Sequence, residues 1–333
     1  KATIGDLELA MTASGKTVIC EYKGLNYSTD YQFKLTAGSV SDLTDNANAA
    51  DIVINFQTKV KPAVTKGTYD FIVPIDGTIS EALAAANARG TNATERYRIL
   101  ILNGNYVFDT NGTTTGGDGK TYPDPRSYLN SPYVSFIGQS MEGVVITNQT
   151  PDATWDNGFG QACPLEGIGN GDVLIINKDG HDAYFQNLTM KSSMGDAHGR
   201  DIVLNDKSNR TVFKDACLWG YQDTYVSNNQ SGKFYFEGGV LRGRTDYLCG
   251  KGDVYYNEVT LQQCGAGGYL AVPSQAKNYG YVFQNCYIKK ETSDVTFYLG
   301  RPWGSGTPTA SFINTKMDTA PIGNGWADMS GGW

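Results

Sequence analysis

Apolar residues in this chain fall into short runs, and the runs obey two different rules. Over residues 1–60 they alternate with polar residues in stretches broken by Asp and Asn turns, as in "LNYSTDYQFKLTAGSVSDLTDNANAADIVINFQTK". That pattern predicts the short strands of a small β-sandwich segment. "KVKPAVTKG" follows and reads as a linker, placed at residues 61–68. Beyond it, "TISEALAAANARG" is one amphipathic helix, expected over Ile79–Arg89 and stopped by Gly90. Short strands come next: "RILILNGNYVF", "YVSFIGQ", "GVVIT" and "DVLIIN".

The second rule is a repeat. "FQNLTM" at Phe185, "FKDACL" at Phe213, "FEGGVL" at Phe236, "YNEVTL" at Tyr256, "FQNCYI" at Phe283 and "FINTKM" at Phe312 share one layout. Each has an aromatic first, a small, polar or acidic residue third and an aliphatic sixth. The aromatics recur at intervals of 20–29 residues. A unit of strand and turn that short cannot bury its own apolar side. Stacking does it, with strands about 4.8 Å apart and like side chains aligned in ladders. A propeller blade would need a longer period, about 40 residues. The expected fold is therefore all-β: a right-handed parallel β-helix over residues 69–333 with one N-terminal capping helix, preceded by a partial β-sandwich segment.

Composition agrees and removes some function classes. Among 333 residues only 18% are charged, against 40 Gly and 21 Tyr, which fits a turn-rich β protein with polar, uncharged surfaces. A net charge of -7 offers no attraction to nucleic acid or an anionic membrane. No apolar run approaches the roughly 20 residues that cross a bilayer. The six cysteines include no C-x-x-C pair, and His181 and His198 are the two histidines. Neither a zinc site nor a histidine triad is expected.

Chemistry enters with "WGYQDTYVS", Trp219–Ser227, where Asp223 interrupts a run that reads as a buried strand. A carboxylate there is costly without a partner or a task. Asp223 lies ten residues after Phe213, and Asp246 lies ten after Phe236. Their repeat positions match, so the two carboxyls should stack on adjacent coils. Two like charges that close cannot both ionise easily, and a protonated acid beside a carboxylate suits acid, base or nucleophile work. Downstream, "FYLGRPWG" supplies Arg301 to keep one aspartate ionised and Trp303 as an apolar platform for a sugar ring.

"GYQDTYV", "GRTDYLCG" and "YLGRPWG" together resemble, in order and spacing, the signature stretches of the pectin methylesterase family of carbohydrate esterases. The likeness extends from "YDFIVPIDGTISEALAAAN" to near the C-terminus. It implies a parallel β-helix that hydrolyses methyl esters of galacturonate without metal or cofactor. By position it makes Asp246 the nucleophile that forms an acyl-enzyme and Asp223 the general acid and then base. Gln222 would donate to the oxyanion, Arg301 would hold Asp246 ionised, and Trp303 would contact the sugar. Tyr247, beside the nucleophile, is a candidate ligand or a ladder residue. The expected partner is a pectic polysaccharide or oligosaccharide, met by a secreted, periplasmic or cell-surface monomer. Residues 1–60 resemble the later half of a bacterial immunoglobulin-like module through Tyr31, "DLTDNA" and the closing "FQT".

The chain departs from the family around its catalytic trio. A second oxyanion glutamine is expected 22 residues before Gln222; Arg200 stands there, in "GDAHGRDIVLND". An arginine can stabilise an oxyanion, clamp a free carboxylate on a neighbouring sugar, or block the pocket. Cys249 replaces a pocket phenylalanine and Val226 a common tyrosine, which suggests a wider groove and a branched or non-standard uronate ester. The rival readings are a polygalacturonase-type hydrolase, whose inverting carboxyls would sit about 6.5–9.5 Å apart, and a non-catalytic pectin-binding β-helix disabled by Arg200. A pectate lyase would need calcium ligands, and no cluster of outward acidic residues supplies them.

Overall fold

The sequence repeat becomes two ladders in the computed structural model. Parallel register places Phe136, Phe185, Phe213, Phe236, Tyr256, Phe283 and Phe312 one above the next. Their rings stack at centroid distances of 4.3–5.1 Å. The sixth positions form the other ladder, Met190, Leu218, Leu241, Leu261, Ile288 and Met317. Between the ladders sits the third position of each repeat. Asn187, Asp215, Gly238, Glu258, Asn285 and Asn314 all adopt left-handed backbone, with φ between 48° and 62°. That corner swings the chain from one sheet to the next. Most L-residues resist it, Gly does not, and Asn and Asp resist it less than most, which explains the polar letter in the motif.

The structure describes residues 1–14, 17–22, 25–26, 28–42, 44, 46–58, 66–115, 121–149, 171–196, 200–304 and 306–329. The chain divides into two compact units, Lys1–Thr65 and Lys66–Trp333. The second is a parallel β-helix with three faces. A nine-stranded sheet runs from Phe71–Val73 to Ala310–Ile313 and an eight-stranded sheet from Gly104–Val107 to Lys316–Met317. A seven-stranded sheet runs from Ser127–Leu129 to Phe297–Gly300. The three enclose one apolar core that contains the aromatic ladder.

The helix spans Ile79–Asn87, two residues shorter than expected. It starts at a capping box: Glu81 N donates to Thr78 Oγ1 at 3.1 Å and Thr78 N donates to Glu81 Oε2 at 2.7 Å. Ile79, Ala82, Leu83 and Ala86 form its buried stripe. The helix packs against the first strand or an early strand of each face, Phe71–Val73, Gly104–Val107 and Ser127–Leu129, so it covers the open end of the apolar core.

The first unit is a single antiparallel sheet of five strands, in the order Thr17–Glu21, Leu7–Ser14, Ala2–Ile4, Asp30–Leu35, Ile52–Gln57. Ala2, Ile4, Leu9 and Leu35 make its small core. Residues 61–65 of the expected linker lie outside the described residues, and Lys66–Thr68 form a 3₁₀ turn.

The seven-stranded sheet positions the site. Tyr128, Ile175, Asn205, Val226, Cys249 and Val272 are aligned in register at the middle of successive strands. Their neighbours Leu174, Leu204, Tyr225 and Leu248 belong to the enclosed core, so alternation turns the middle row outward. Val226, Cys249 and Val272 join Ile202 in a separate apolar patch on that outer side.

Candidate active site

One corner of the seven-stranded sheet gathers most of the chemistry-bearing residues. Isolated parallel bridges join Arg200 to Gln222 and Gln222 to Thr245, so these residues stand on three successive rungs. The residues that follow are then also in step: Asp223 N donates to Thr245 O at 3.2 Å, and Asp246 occupies the matching place one coil on. Both aspartates have left-handed backbone, φ 58° and 53°. Such conformations cost roughly 1–3 kcal/mol each and persist where surrounding structure holds them, often at functional sites.

The two carboxyls live in different surroundings. Asp246 receives a two-pronged hydrogen bond from Arg301, Nε to Oδ1 at 2.9 Å and Nη2 to Oδ2 at 2.6 Å. Asp223 faces a looser cation, Arg200, with Nε 3.6 Å from Oδ2. The Cys249 thiol also points at Asp223, Sγ 3.7 Å from Oδ1. Asp223 is 6% exposed and Asp246 7%. Burial, reinforced by the charge on Asp246, pushes Asp223 up to about 7 against the pull of Arg200. Burial also raises Asp246, but Arg301 opposes it with short, paired hydrogen bonds. The pair is thus set to share one proton, with Asp223 the holder and Asp246 the anion.

Arg301 does not stand alone. Its guanidinium carbon lies 3.8 Å above the centroid of the Tyr269 ring. Trp303 N donates to Pro273 O at 3.0 Å, and its side chain packs on the outer apolar patch together with Tyr269 and Met329. On the other flank, Arg242 is almost fully buried and grips Asp196 with two 2.7 Å hydrogen bonds and Glu291 with bonds of 2.7 and 3.0 Å. It also donates to Gly220 O and lies 4.5 Å from the centroid of the Trp219 ring. Asp196 precedes Arg200 by four positions in the chain.

Gln222, Asp223, Asp246, Arg301, Arg200 and Trp303 are therefore brought to one place, and three other expectations change. Tyr247 is wholly buried in the enclosed core, on the far side of the sheet from the carboxyls, and is a core residue, not a substrate contact. Val226 and Cys249 are 1% and 2% exposed, packed with Ile202 and Val272 and bordered by Tyr269, Trp303 and Met329. They make a covered floor and do not themselves face open solvent. Cys249 instead touches Asp223. His198 and Cys163 lie outside the described residues, and Cys20, Cys217, Cys249, Cys264 and Cys286 are free thiols.

Sequence reading missed Tyr269, Tyr298, Asp196 and Arg242. Thr245 and Gln222 each lie nine residues after their ladder aromatic, whereas Tyr269 lies thirteen after Tyr256 and Tyr298 fifteen after Phe283. Loops between rungs shift the phase, so counting from the aromatics no longer finds the cleft row. A register shift between the Thr245–Tyr269 and Leu248–Ala271 pairs adds to this, so matching "GGYLAVP" to "GRTDYLCG" leucine on leucine does not set Tyr269 opposite Thr245.

The Pectinesterase family model matches residues 172–333. Pectinesterase A of Dickeya dadantii is 27% identical over 297 residues, covering 76% of this chain and 72% of that protein. Pectinesterase 31 of Arabidopsis thaliana is 26% identical over 199 residues, covering 58% of this chain. The chain spans 60% of the length of that relative and 51% of Putative pectinesterase/pectinesterase inhibitor 38 of the same plant. Among solved structures, pectin methylesterase from carrot superposes with TM-score 0.61 at 19% identity, covering 83% of this chain and 80% of that one. Pectin methylesterase PemA from Erwinia chrysanthemi gives TM-score 0.57 at 22% identity, covering 80% and 81%. These superpositions establish the shared β-helical fold. The stretch that matches the Pectinesterase model, residues 172–333, carries Arg200, Gln222, Asp223, Asp246 and Arg301.

Proposed function

We propose that this chain hydrolyses methyl esters of uronic acid residues in pectic polysaccharide through an aspartyl acyl-enzyme. The observation that carries this reading is the unequal pair: Asp246 is held by Arg301 at 2.9 and 2.6 Å, and Asp223 is raised to about 7 one rung away. An oxygen of the Asp246 carboxylate attacks the ester carbonyl carbon. Charge builds on the carbonyl oxygen, and the Gln222 amide donates to it. The intermediate collapses by breaking the bond to methoxide, which leaves as methanol with the proton of Asp223. The uronate and Asp246 are now joined as an anhydride. Asp223, ionised, takes a proton from water as the oxygen attacks the uronate carbonyl. The carboxylic acid departs and ionises, Asp246 is again an anion, and Asp223 is again protonated. Trp303 offers the sugar ring an apolar face.

Support comes from the match to the Pectinesterase family model and from a pectin methylesterase of TM-score 0.56 described in complex with a hexasaccharide. A pectic substrate implies a secreted, periplasmic or cell-surface setting. Residues 1–60 we read as the closing part of an immunoglobulin-like module and 69–333 as the catalytic β-helix. Incubation with methylated homogalacturonan should release methanol without new reducing ends. Reducing ends without methanol would replace this reading with glycoside hydrolysis, and binding with neither product would replace it with a non-catalytic role.

Arg200 is the residue on which substrate choice turns. A guanidinium beside the acid can hold a free carboxylate on an adjoining uronate, which favours branched or partly de-esterified chains over the fully methylated polymer. It also works against Asp223, since a cation at 3.6 Å favours the ionised carboxyl when the first step needs the protonated one. Arg200→Gln should therefore raise the Asp223 pKa and move the alkaline limb of kcat/KM upward by about 0.5–1 pH unit. An alkaline limb that stays put in this variant would show that the two side chains are not coupled.

A further inference from the structure

Arg301 has a long way to go. Its backbone N donates to Ala271 O at 3.1 Å, at the end of the strand Phe297–Gly300, while its guanidinium reaches Asp246 on Thr245–Lys251. One whole strand, Gly268–Gln275, lies between, so the side chain spans two inter-strand steps, about 10 Å between backbones. A flexible four-bond stem crossing that gap has many ways to miss. Bidentate contact with a carboxylate additionally needs the guanidinium plane at one angle.

Tyr269 lies under that span. Its residue pairs with Thr245 on one side and with Tyr298 on the other. Arg301 Cζ sits 3.8 Å from its ring centroid. The Tyr298 ring backs it at 5.2 Å and 12° between planes. Tyr269 N donates to Arg244 O at 2.9 Å, and the ring also packs against the patch of Ile202, Val226, Cys249 and Val272. The ring is thus fixed by its backbone, its stacking partner and the apolar floor before the arginine is laid on it. A face-on stack defines the guanidinium plane, which is the degree of freedom the fork needs.

We infer that Tyr269, backed by Tyr298, is a positioning residue that lays Arg301 flat across the cleft and turns its N–H fork onto Asp246. The consequence for catalysis rests on the reading of Asp246 as nucleophile; the positioning itself does not. Without the ring, Arg301 samples other rotamers, its hold on Asp246 loosens, and the carboxyl binds its proton more tightly. The acid limb of kcat/KM, where Asp246 loses its proton, then moves up in pH.

Tyr269→Leu is expected to lower kcat about 10- to 50-fold with KM within about twofold, and to move the acid limb up by about 0.5–1 pH unit. Tyr269→Phe, which keeps the face, should restore both. Tyr298→Leu should give a smaller shift in the same direction. Carboxyl-carbon NMR titration of Asp246 in wild type and Tyr269→Leu reads the same displacement without any turnover, so it stands even if no methyl ester is cleaved. An unmoved acid limb and Asp246 titration in Tyr269→Leu would overturn the inference. So would Tyr269→Phe behaving like Tyr269→Leu, which would assign the effect to the hydroxyl. A wild-type enzyme that releases no methanol would sink the esterase reading alone.

Discussion

Asp246→Asn is expected to release methanol from methylated pectin at least about 10⁴-fold more slowly than the wild-type chain, with KM or polymer affinity changed by no more than about threefold. The size follows from the role. An amide oxygen is a poor nucleophile and cannot form the anhydride, so the variant loses the covalent route and keeps only binding and oxyanion donors. Asn also suits the left-handed backbone at this position, φ 53°, so the local turn is retained. Arg301 loses its charged partner but keeps one acceptor in the new amide oxygen, which limits structural damage. Thermal unfolding monitored beside the assay separates the two effects. A variant that folds and still works at more than about one hundredth of the wild-type rate would remove Asp246 as nucleophile.

The same substitution clarifies why the site needs two unlike carboxyls. Both are buried, and burial alone would push both toward the neutral form. Arg301, in bidentate contact, opposes that push for Asp246 and leaves it the readier of the two to ionise, while Arg200 at 3.6 Å holds Asp223 more loosely. The productive protonation state is therefore Asp246 ionised with Asp223 neutral. It prevails above the pKa of Asp246 and is lost as pH rises through that of Asp223, near 7. Activity should fall on both sides of that window.

Much of this was readable in the residues because a β-helix writes its period into the sequence. The aromatic at Phe185 and its successors, the small, polar or acidic residue at Asn187 and its equivalents, and the aliphatic at Met190 are all legible as columns of one pattern. Two carboxyls at the same offset can then be paired from their spacing alone. What failed was anything depending on side-chain direction or on loop length. Tyr247 follows Asp246 in the chain, but strand alternation after the corner at Asp246 sends it into the core. Val226 and Cys249 were expected as open walls because they are small; Trp303, Tyr269 and Met329 border the patch they share. Tyr269 went unnoticed because the insertion "CGAGG" breaks the count from Tyr256. The Arg242 clamp pairs residues 46 and 49 positions apart, a separation that no local pattern encodes.

Asp223→Asn is expected to lower methanol release about 10²- to 10⁴-fold, and the step it blocks depends on the leaving group. Methoxide is strongly basic and cannot depart without a proton, so the natural ester stalls at formation of the anhydride. An aryl ester of galacturonate needs no such help: its phenolate leaves unaided, and the Asp246 carboxylate is still in place. The second half-reaction is different, because in the proposed mechanism Asp223 takes the proton from the attacking water. With an aryl ester the variant should therefore release about one equivalent of phenol per site in a burst and then nearly stop, with the uronoyl group retained on Asp246 and detectable as a mass increase on the peptide that contains it. Added hydroxylamine, a nucleophile that needs no base, should free the enzyme and restore turnover. A steady, burst-free reaction in Asp223→Asn, or a trapped acyl group on any residue but Asp246, would break the assignment of roles between the two carboxyls.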